Sequence, residues 1–302
     1  MNIVMGLAIP YGRISKTKTN MLNVVRNPMG TEHSTKREIS NGMNRKQSFI
    51  LTVCPLLIVL VTSGCYEPVD YPVIVRVLPP PVPEPEISRS IVGKSRENRP
   101  IVYTVLGKGP DVTFILAAIH GDEKAGIPLV RRLESYLQQH PQLLERRKVV
   151  LLPIANPDGV ANNSRYNARG IDLNRNFPAF NRINSNRFGL TPLSEPETHS
   201  IWRLIRQYAP DRIVSIHQPL TCIDYDGPSR AMASRMAEYC NLPLKKIGAK
   251  PGSLGSYAGV TLGIPVITLE LPHTAGRLTP EYLWQQYGPA LVAGIVYPYR
   301  AK

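Results

Sequence analysis

The sequence predicts an α/β fold: a single domain with a mixed, largely parallel central sheet flanked by helices. Two observations predict it. From residue 89 onward, continuous apolar runs alternate with amphipathic stretches, which is typical of strands buried on both faces and covered by helices. The chain has 302 residues, of which 43% are hydrophobic, so it is long enough to bury a sizeable core.

The sequence predicts strands and helices that can be located in chain order. Four apolar runs predict strands at residues 112–119, 149–155, 213–216 and 264–271. Helices are expected at residues 127–139, with Pro128 in the first turn, and at residues 201–208, after a capping box of Ser194 and Glu197. Thr279 and Pro280 predict the start of a last helix.

The region before this domain differs in character. Residues 1–42 have no periodicity, and we interpret them as an extension upstream of the native start. Residues 43–64 join a basic head, an apolar run and small residues, which is typical of an export signal. Residues 65–88 are rich in proline, which favours an extended linker. The domain itself is expected to span residues 89–302.

The export signal ends in "TSGC", which resembles the lipobox of bacterial lipoproteins with Cys65 as the lipidated residue. A plain membrane anchor is the alternative, but the apolar run is short for a bilayer span and contains Pro55. We therefore expect an exported, periplasmic lipoprotein whose lipid anchor holds it at the membrane.

The net charge indicates which partners the protein could bind, and the cysteines indicate whether it could form a disulfide. Of the net charge of +14, +8 lies after Cys65, from 28 Lys and Arg against 20 Asp and Glu, and this moderately basic domain suits an acidic substrate or an anionic surface. No basic run is interleaved with aromatic residues, so we expect no nucleic-acid partner. In the exported domain only Cys222 and Cys240 remain as thiols. They could pair in an oxidising compartment, but the sequence does not show whether their side chains meet.

Polar residues follow two of the predicted strands. His120 and Glu123 come directly after residues 112–119, and His217 comes after residues 213–216. Because ligands collect at the carboxyl ends of strands in such sheets, the three residues can share one rim. Two histidines and one carboxylate are the ligand count of a catalytic zinc site. A solvated turn would explain His120 and Glu123 without a metal, and a core histidine would explain His217. The prediction of one zinc ion per chain therefore depends on the three residues together.

Two further features suit a hydrolase. Glu270 ends an apolar strand, where a carboxylate is costly unless it has a partner. It is the candidate base that takes a proton from zinc-activated water and returns it to the leaving amine. A salt bridge to Arg277 is the alternative. The loop "SRYNARGIDLNRNFP" at residues 164–178 is rich in arginine, which binds carboxylates or stabilises an oxyanion.

The blocks "HGDE", "NPDG", "DLNRNFP", "SIHQP" and "ITLELP" occur in this order, and from about residue 88 the chain resembles the zinc carboxypeptidases. That resemblance implies that His120, Glu123 and His217 are the zinc ligands. It also implies that Glu270 is the general base of the reaction.

The same resemblance implies substrate contacts. Asn174 and Arg175 match the anchor for the terminal carboxylate of the substrate. Arg165 matches the arginine that polarises the scissile carbonyl, although Arg169 lies only four residues on. Tyr257 is a candidate for the tyrosine that covers the substrate in digestive carboxypeptidases.

Within the family, "HQPLTCIDYDG" and "KPGSLGSYAGVTLGIPVITLELP" are similar to amidases of murein peptides. This implies a murein peptide substrate, cleaved between γ-D-glutamate and meso-diaminopimelate. Asp224 could attract the side-chain amine of diaminopimelate, or it could simply form a turn before Gly227. Such amidases usually act on recycled peptides in the cytoplasm, whereas this chain carries an export signal.

Three alternatives stay open. A general metallocarboxypeptidase would share the whole site but accept other substrates. A deacylase resembling the aspartoacylases would share the zinc motif and the fold. A non-catalytic lipoprotein that binds cell-wall peptides would be expected to lack the base, so the presence of Glu270 argues against it.

Overall fold

A computed structural model of the protein describes residues 86–298. The predicted upstream extension, the export signal, Cys65 and all but the end of the proline-rich linker lie outside these residues. In the described part of the chain, none of the helices combines the length and apolar character that crossing a bilayer requires.

One mixed sheet of seven strands forms the centre of the described domain. The strands are β1 (Ile87–Lys94), β2 (Pro100–Leu106), β3 (Asp111–Ala117), β4 (Arg147–Leu152), β5 (Arg212–His217), β6 (Leu220–Asp226) and β7 (Val266–Pro272). Their order in the sheet is β1-β2-β4-β3-β5-β7-β6. Strands β4, β3, β5 and β7 pair parallel, whereas β1, β2 and β6 pair antiparallel at the two sides. The predicted mixed, largely parallel sheet is therefore confirmed.

Helices cover both faces of this sheet. They are α1 (Gly126–Gln139), α2 (Pro157–Ala161), α3 (Pro196–Tyr208), α4 (Arg230–Ala237) and α5 (Pro280–Ile295). Residues Ile115 and Ala117 of β3 pack in a core cluster with α1, α4 and α5. Residues Phe114 and Leu116 pack in a second cluster with α3. Alternate side chains thus enter opposite cores, which explains why the strand reads as a continuous apolar run.

The four predicted strands and the three predicted helices all form, with bounds that shift by a few residues. The last helix starts as expected, because Thr279 accepts a hydrogen bond from the backbone of Tyr282. The predicted capping box is wrong. Glu195 is the N-cap residue of α3 and makes no capping bond with its side chain. Ser194 donates to Glu195 instead, and Glu197 accepts from the backbone of Arg96.

The antiparallel strands β1, β2 and β6 were not predicted. Most of β1 is exposed, so its residues carry no continuous apolar run. Strand β6 includes two buried acids, Asp224 and Asp226, which interrupt the hydrophobic pattern. Cys222 on β6 and Cys240 after α4 are both free thiols in the structure, so the disulfide that the sequence left open is not formed.

Candidate active site

Two loops in backbone contact hold the first part of the site. His120 and Glu123 lie on the turn between β3 and α1. Asn156 donates from its amide to the carbonyl of Ile119 and caps α2 by accepting from Gly159 N. A Cβ on Gly121 would come within 2.0 Å of the carbonyl carbon of Gly159. Glycine at position 121 therefore allows the "NPDG" block to pack directly against the turn that carries the predicted ligands.

The three predicted zinc ligands converge. Nδ1 of His120 lies 2.8 Å from Oε1 of Glu123, and Nδ1 of His217 lies 2.8 Å from Oε2 of the same carboxylate. All three side chains are buried, and one ligand atom from each lies within 4.8 Å of the others. The backbone of Gln218, which follows β5, donates to Glu123 Oε2 at 3.1 Å. The sheet and the turn thus bring together residues that are nearly a hundred positions apart in the chain.

This cluster fits a zinc ion. Nε2 of His120 lies 3.1 Å from Oδ1 of Asp172, a partner that would hold the ring proton on Nε2 and free the Nδ1 lone pair when a zinc ion is bound. Burial would raise the pKa of Glu123, but the charge of His217 and hydrogen bonds from both histidines hold that pKa well below its usual range. Two imidazole nitrogens and one ionised carboxylate form the donor set of a catalytic zinc site.

Asp172 is the residue that sequence reasoning missed. Its carboxylate contacts His120, accepts from Nη2 of Arg165 at 3.3 Å and accepts from the backbone of Asn174 at 3.0 Å. Burial raises its pKa, but the hydrogen bond with His120 and nearby positive charges outweigh this effect and lower the pKa to about 2. The only sequence signal for Asp172 is its place as the first residue of the "DLNRNFP" block.

Glu270 lies beside the ligands on the neighbouring strand. In the strand register it pairs with His217 of β5 and with Cys222 of β6. Its Oε2 accepts from the backbone of Leu220 at 3.3 Å, and the structure shows no ion pair with Arg277 among the described residues. Burial raises the pKa of Glu270, opposed by the charge of His217. A carboxylate with a raised pKa in a cavity is suited to proton transfer.

The arginine-rich loop forms another wall of the same cavity. The cavity has a volume of about 250 Å³, and Arg165, Asn174 and Arg175 line it together with the predicted ligands and Glu270. Arg165 also donates to Glu123 Oε1 at 3.1 Å, which places its charge at the ligand cluster. Arg169 is turned away and pairs with Glu195 at 3.2 Å. Of the two arginines that the sequence left as candidates, the structure brings Arg165 to the site.

The last two predicted residues differ in their placement. Asp224 lies within β6 and lines the cavity, so it is not a turn residue before Gly227. Tyr257 lies in a π-helical segment, Gly255–Thr261, and stacks on Phe177 in the core, with ring centroids 6.1 Å apart. It does not line the cavity. The structure therefore does not bring Tyr257 to the site.

Comparison with known proteins gives this arrangement a class. A model of the zinc carboxypeptidase family matches residues 83–235. The chain belongs to that family, and it is a zinc metallopeptidase or amidase.

Its relatives are more specific. Murein peptide amidase A of Escherichia coli (strain K12) is 38% identical over 190 residues, which cover 57% of this chain and 76% of the relative. The protein of the same name from Vibrio campbellii is 31% identical over 214 residues, which cover 65% and 84%. The crystal structure of a murein-tripeptide amidase from Escherichia coli O157 aligns with a TM-score of 0.54 and 30% identity, covering 71% of this chain and 94% of that one.

Proposed function

We propose that this enzyme hydrolyses the amide bond between γ-D-glutamate and meso-diaminopimelate in murein peptides. The observation that carries the proposal is one cavity that joins the predicted ligand cluster, Glu270, the Asn174–Arg175 pair and the acidic Asp224. The relatives that are murein peptide amidases support the substrate class.

The reaction needs an activated water and a proton carrier. A zinc ion held by His120, Glu123 and His217 would activate the attacking water and polarise the scissile carbonyl. Glu270 takes one proton from that water as its oxygen bonds to the carbonyl carbon. When the C–N bond breaks, Glu270 returns the proton to the leaving amine of diaminopimelate. The raised pKa of Glu270 brings it closer to the working pH, which favours both transfers.

The loop residues orient the substrate. Asn174 uses its Oδ1 to accept from Leu254 N at 2.9 Å, so its amide NH₂ remains available to the substrate carboxylate. Arg175 donates one bond from Nη1 to the carbonyl of Asn174 at 2.6 Å. Its other donors are available to bind that carboxylate as a fork. Arg165, next to Glu123, can stabilise the negative charge that grows on the carbonyl oxygen.

The proposal is tested with the purified full-length protein and the tripeptide L-Ala-γ-D-Glu-meso-diaminopimelate. We expect mass spectrometry to find the dipeptide L-Ala-D-Glu and free diaminopimelate. A chelator should abolish the activity, and added zinc should restore it. His217→Ala is the control, and it should bind no zinc and release no product. Release of C-terminal alanine from ordinary peptides, with the tripeptide left intact, would identify a general carboxypeptidase instead.

We also propose that the mature protein begins at Cys65 and is anchored at the periplasmic side of a membrane by a lipid. The supporting feature is the "TSGC" sequence after a basic head and an apolar run. The Cys65→Ala protein should lose the lipid mass and leave the membrane fraction. An unchanged mass and an unchanged membrane fraction would contradict this proposal.

A further inference from the structure

The floor of the cavity is built from a row of side chains next to the reacting residues. His217, Glu270 and Cys222 lie side by side on β5, β7 and β6. Two residues further along these strands, Ser215, Thr268 and Asp224 form a second row, and all three line the cavity. Residues two apart on a strand share a face and are about 7 Å apart. The second row, which forms the floor of the cavity, therefore lies about 7 Å from the first row, which contains the general base.

The floor carries polar groups that the fold does not use. Asp224 is only 6% exposed, and its Oδ1 accepts from the backbone of Ile247 at 2.7 Å. Within residues 86–298, its Oδ2 accepts no hydrogen bond. The hydroxyl of Ser215 is buried and has no partner in that same range. A buried hydroxyl without a partner is costly, so the Ser215 hydroxyl, in the same row as the carboxylate of Asp224, makes this end of the cavity suited to a polar ligand.

A positive charge lines the same cavity. Lys250 is exposed, and its ammonium forms no ion pair with any residue that the structure describes. The nearby Lys246 is already occupied, because it pairs with Asp226 at 3.0 Å and lies over the ring of Tyr225. Asp226, which lines the cavity, is thus neutralised by a lysine outside it, whereas Asp224 and Lys250 remain available to a ligand.

We propose that Asp224 and Lys250 together recognise the distal amino-acid centre of diaminopimelate, which carries both an ammonium and a carboxylate. Asp224 binds the ammonium and Lys250 binds the carboxylate. This inference rests on the proposed function, because cleavage fixes the other centre of the residue beside Glu270. Four extended C–C bonds join the two centres and span about 5 Å, which is comparable with the spacing between the two rows of the site.

Three tripeptides that all carry the distal amine isolate the contribution of the distal carboxylate. One ends in meso-diaminopimelate, one ends in L-lysine, and one ends in diaminopimelate with its distal carboxyl group amidated. The last two keep the distal amine but lack the distal carboxylate. The unaltered enzyme should cleave the first with a kcat/KM about fivefold higher than the others, as for an exposed ion pair.

Each variant should remove one part of this pattern. Lys250→Met should lower kcat/KM about fivefold on the diaminopimelate peptide alone and so make the three peptides equal. Asp224→Asn, which keeps an acceptor for Ile247, should lower kcat/KM about tenfold to a hundredfold on all three peptides. Lys245→Met is the matched control, because Lys245 is exposed in the same segment and does not line the cavity.

Two outcomes separate the inference from the function on which it rests. If the unaltered enzyme cleaves all three peptides with equal kcat/KM, the subsite is refuted and the amidase function stands. The same holds if Lys250→Met lowers kcat/KM equally on every peptide. If none of the three peptides is cleaved, the proposed function fails, and the subsite fails with it.

Discussion

This domain has two groups of buried carboxylates that differ in what surrounds them. The first group is Asp158, Glu195 and Glu197, and the second, at the active site, is Glu123, Asp172 and Glu270. Asp158 accepts from Ser95 Oγ, from Glu97 N and from Arg99 Nη1 at 2.6 to 3.0 Å. Glu123 at the active site contacts two histidine nitrogens that share its small cavity. Both carboxylates have depressed pKa values. Burial and a shifted pKa therefore do not by themselves mark a catalytic group, whereas the identity of the partners and an adjoining cavity do.

The first group serves the second through the arginine-rich loop. Glu195 accepts from Asn167 at 2.8 Å and from Arg169 at 3.2 Å. Glu197 accepts a longer bond, 3.3 Å, from the same amide of Asn167. These contacts fix one side of the loop, and Arg165 projects from its other side towards Glu123. The first group thus acts on the shape of the site, whereas Glu123 is placed to hold a metal ion and Glu270 to transfer a proton.

The largest effect is expected at Glu270. In Glu270→Gln the amide oxygen can still accept from Leu220, so zinc content and the free energy of unfolding should stay close to those of the unaltered protein. Turnover should fall by a factor of about 10² to 10⁴, because the proton carrier is gone. Steady-state kinetics, metal analysis and denaturant unfolding measure these three quantities. Near-normal turnover would exclude Glu270 from the reaction and remove the distinction between the two groups.

An intermediate effect is expected at Asp172, which touches both a predicted ligand and the loop. Asp172→Ala should weaken zinc affinity about 10- to 100-fold, since His120 loses the partner that orients its ring. Asp172→Asn should weaken it less, because an amide oxygen still accepts from Nε2. Competition with a chromophoric chelator measures both affinities. Equal affinities in all three proteins would show that Asp172 only supports the loop.

The smallest effect on function is expected at Asp158. Asp158→Asn should lower the free energy of unfolding by about 2 kcal/mol at pH 7, because three bonds to a charged acceptor are weakened. Its kcat should be unchanged. Burial raises the pKa of Asp158, but bonds from Ser95, Glu97 and Arg99 outweigh burial and lower it.

The difference in unfolding free energy between Asp158→Asn and the unaltered protein should depend on pH, because the pKa of Asp158 is lowered in the folded protein. A depressed folded-state pKa contributes stability that is present above the unfolded value, about pH 4, and is lost as the pH falls through the folded value. The gap between Asp158→Asn and the unaltered protein should therefore shrink below about pH 4. A gap that stays constant down to pH 2 would mean that the charge of Asp158 contributes no stability.

Much of the site could be predicted because its residues follow strands. His120, Glu123 and His217 come directly after buried apolar runs, and parallel pairing brings such positions to one edge of the sheet. Tyr257 could not be placed in this way. It lies in a π-helical segment, and the direction of its ring depends on how that segment packs against Phe177.

Two other features, the role of Asp172 and the N-terminus of α3, were not predicted correctly because they depend on tertiary contacts. The contact between Asp172 and His120 joins two loops that are distant in sequence, and local patterns carry no signal for it. Ser194 and Glu197 have the spacing of a capping box, but Ser194 donates to the adjacent Glu195 and Glu197 accepts from the distant backbone of Arg96. Local propensity is a weak guide where buried polar groups compete for the same donors.

The register of β5, β7 and β6 fixes how far the polar groups on the cavity floor can lie from the general base, in steps of two residues along a strand. Side chains on one face of a strand recur every second residue, so an acid can stand at the position of Cys222, Asp224 or Asp226 but not between them. Moving it by one step changes its reach by about 7 Å. An enzyme built on this floor can therefore change the length of the side chain it accepts only in such increments, and finer adjustment falls to flexible residues such as Lys250.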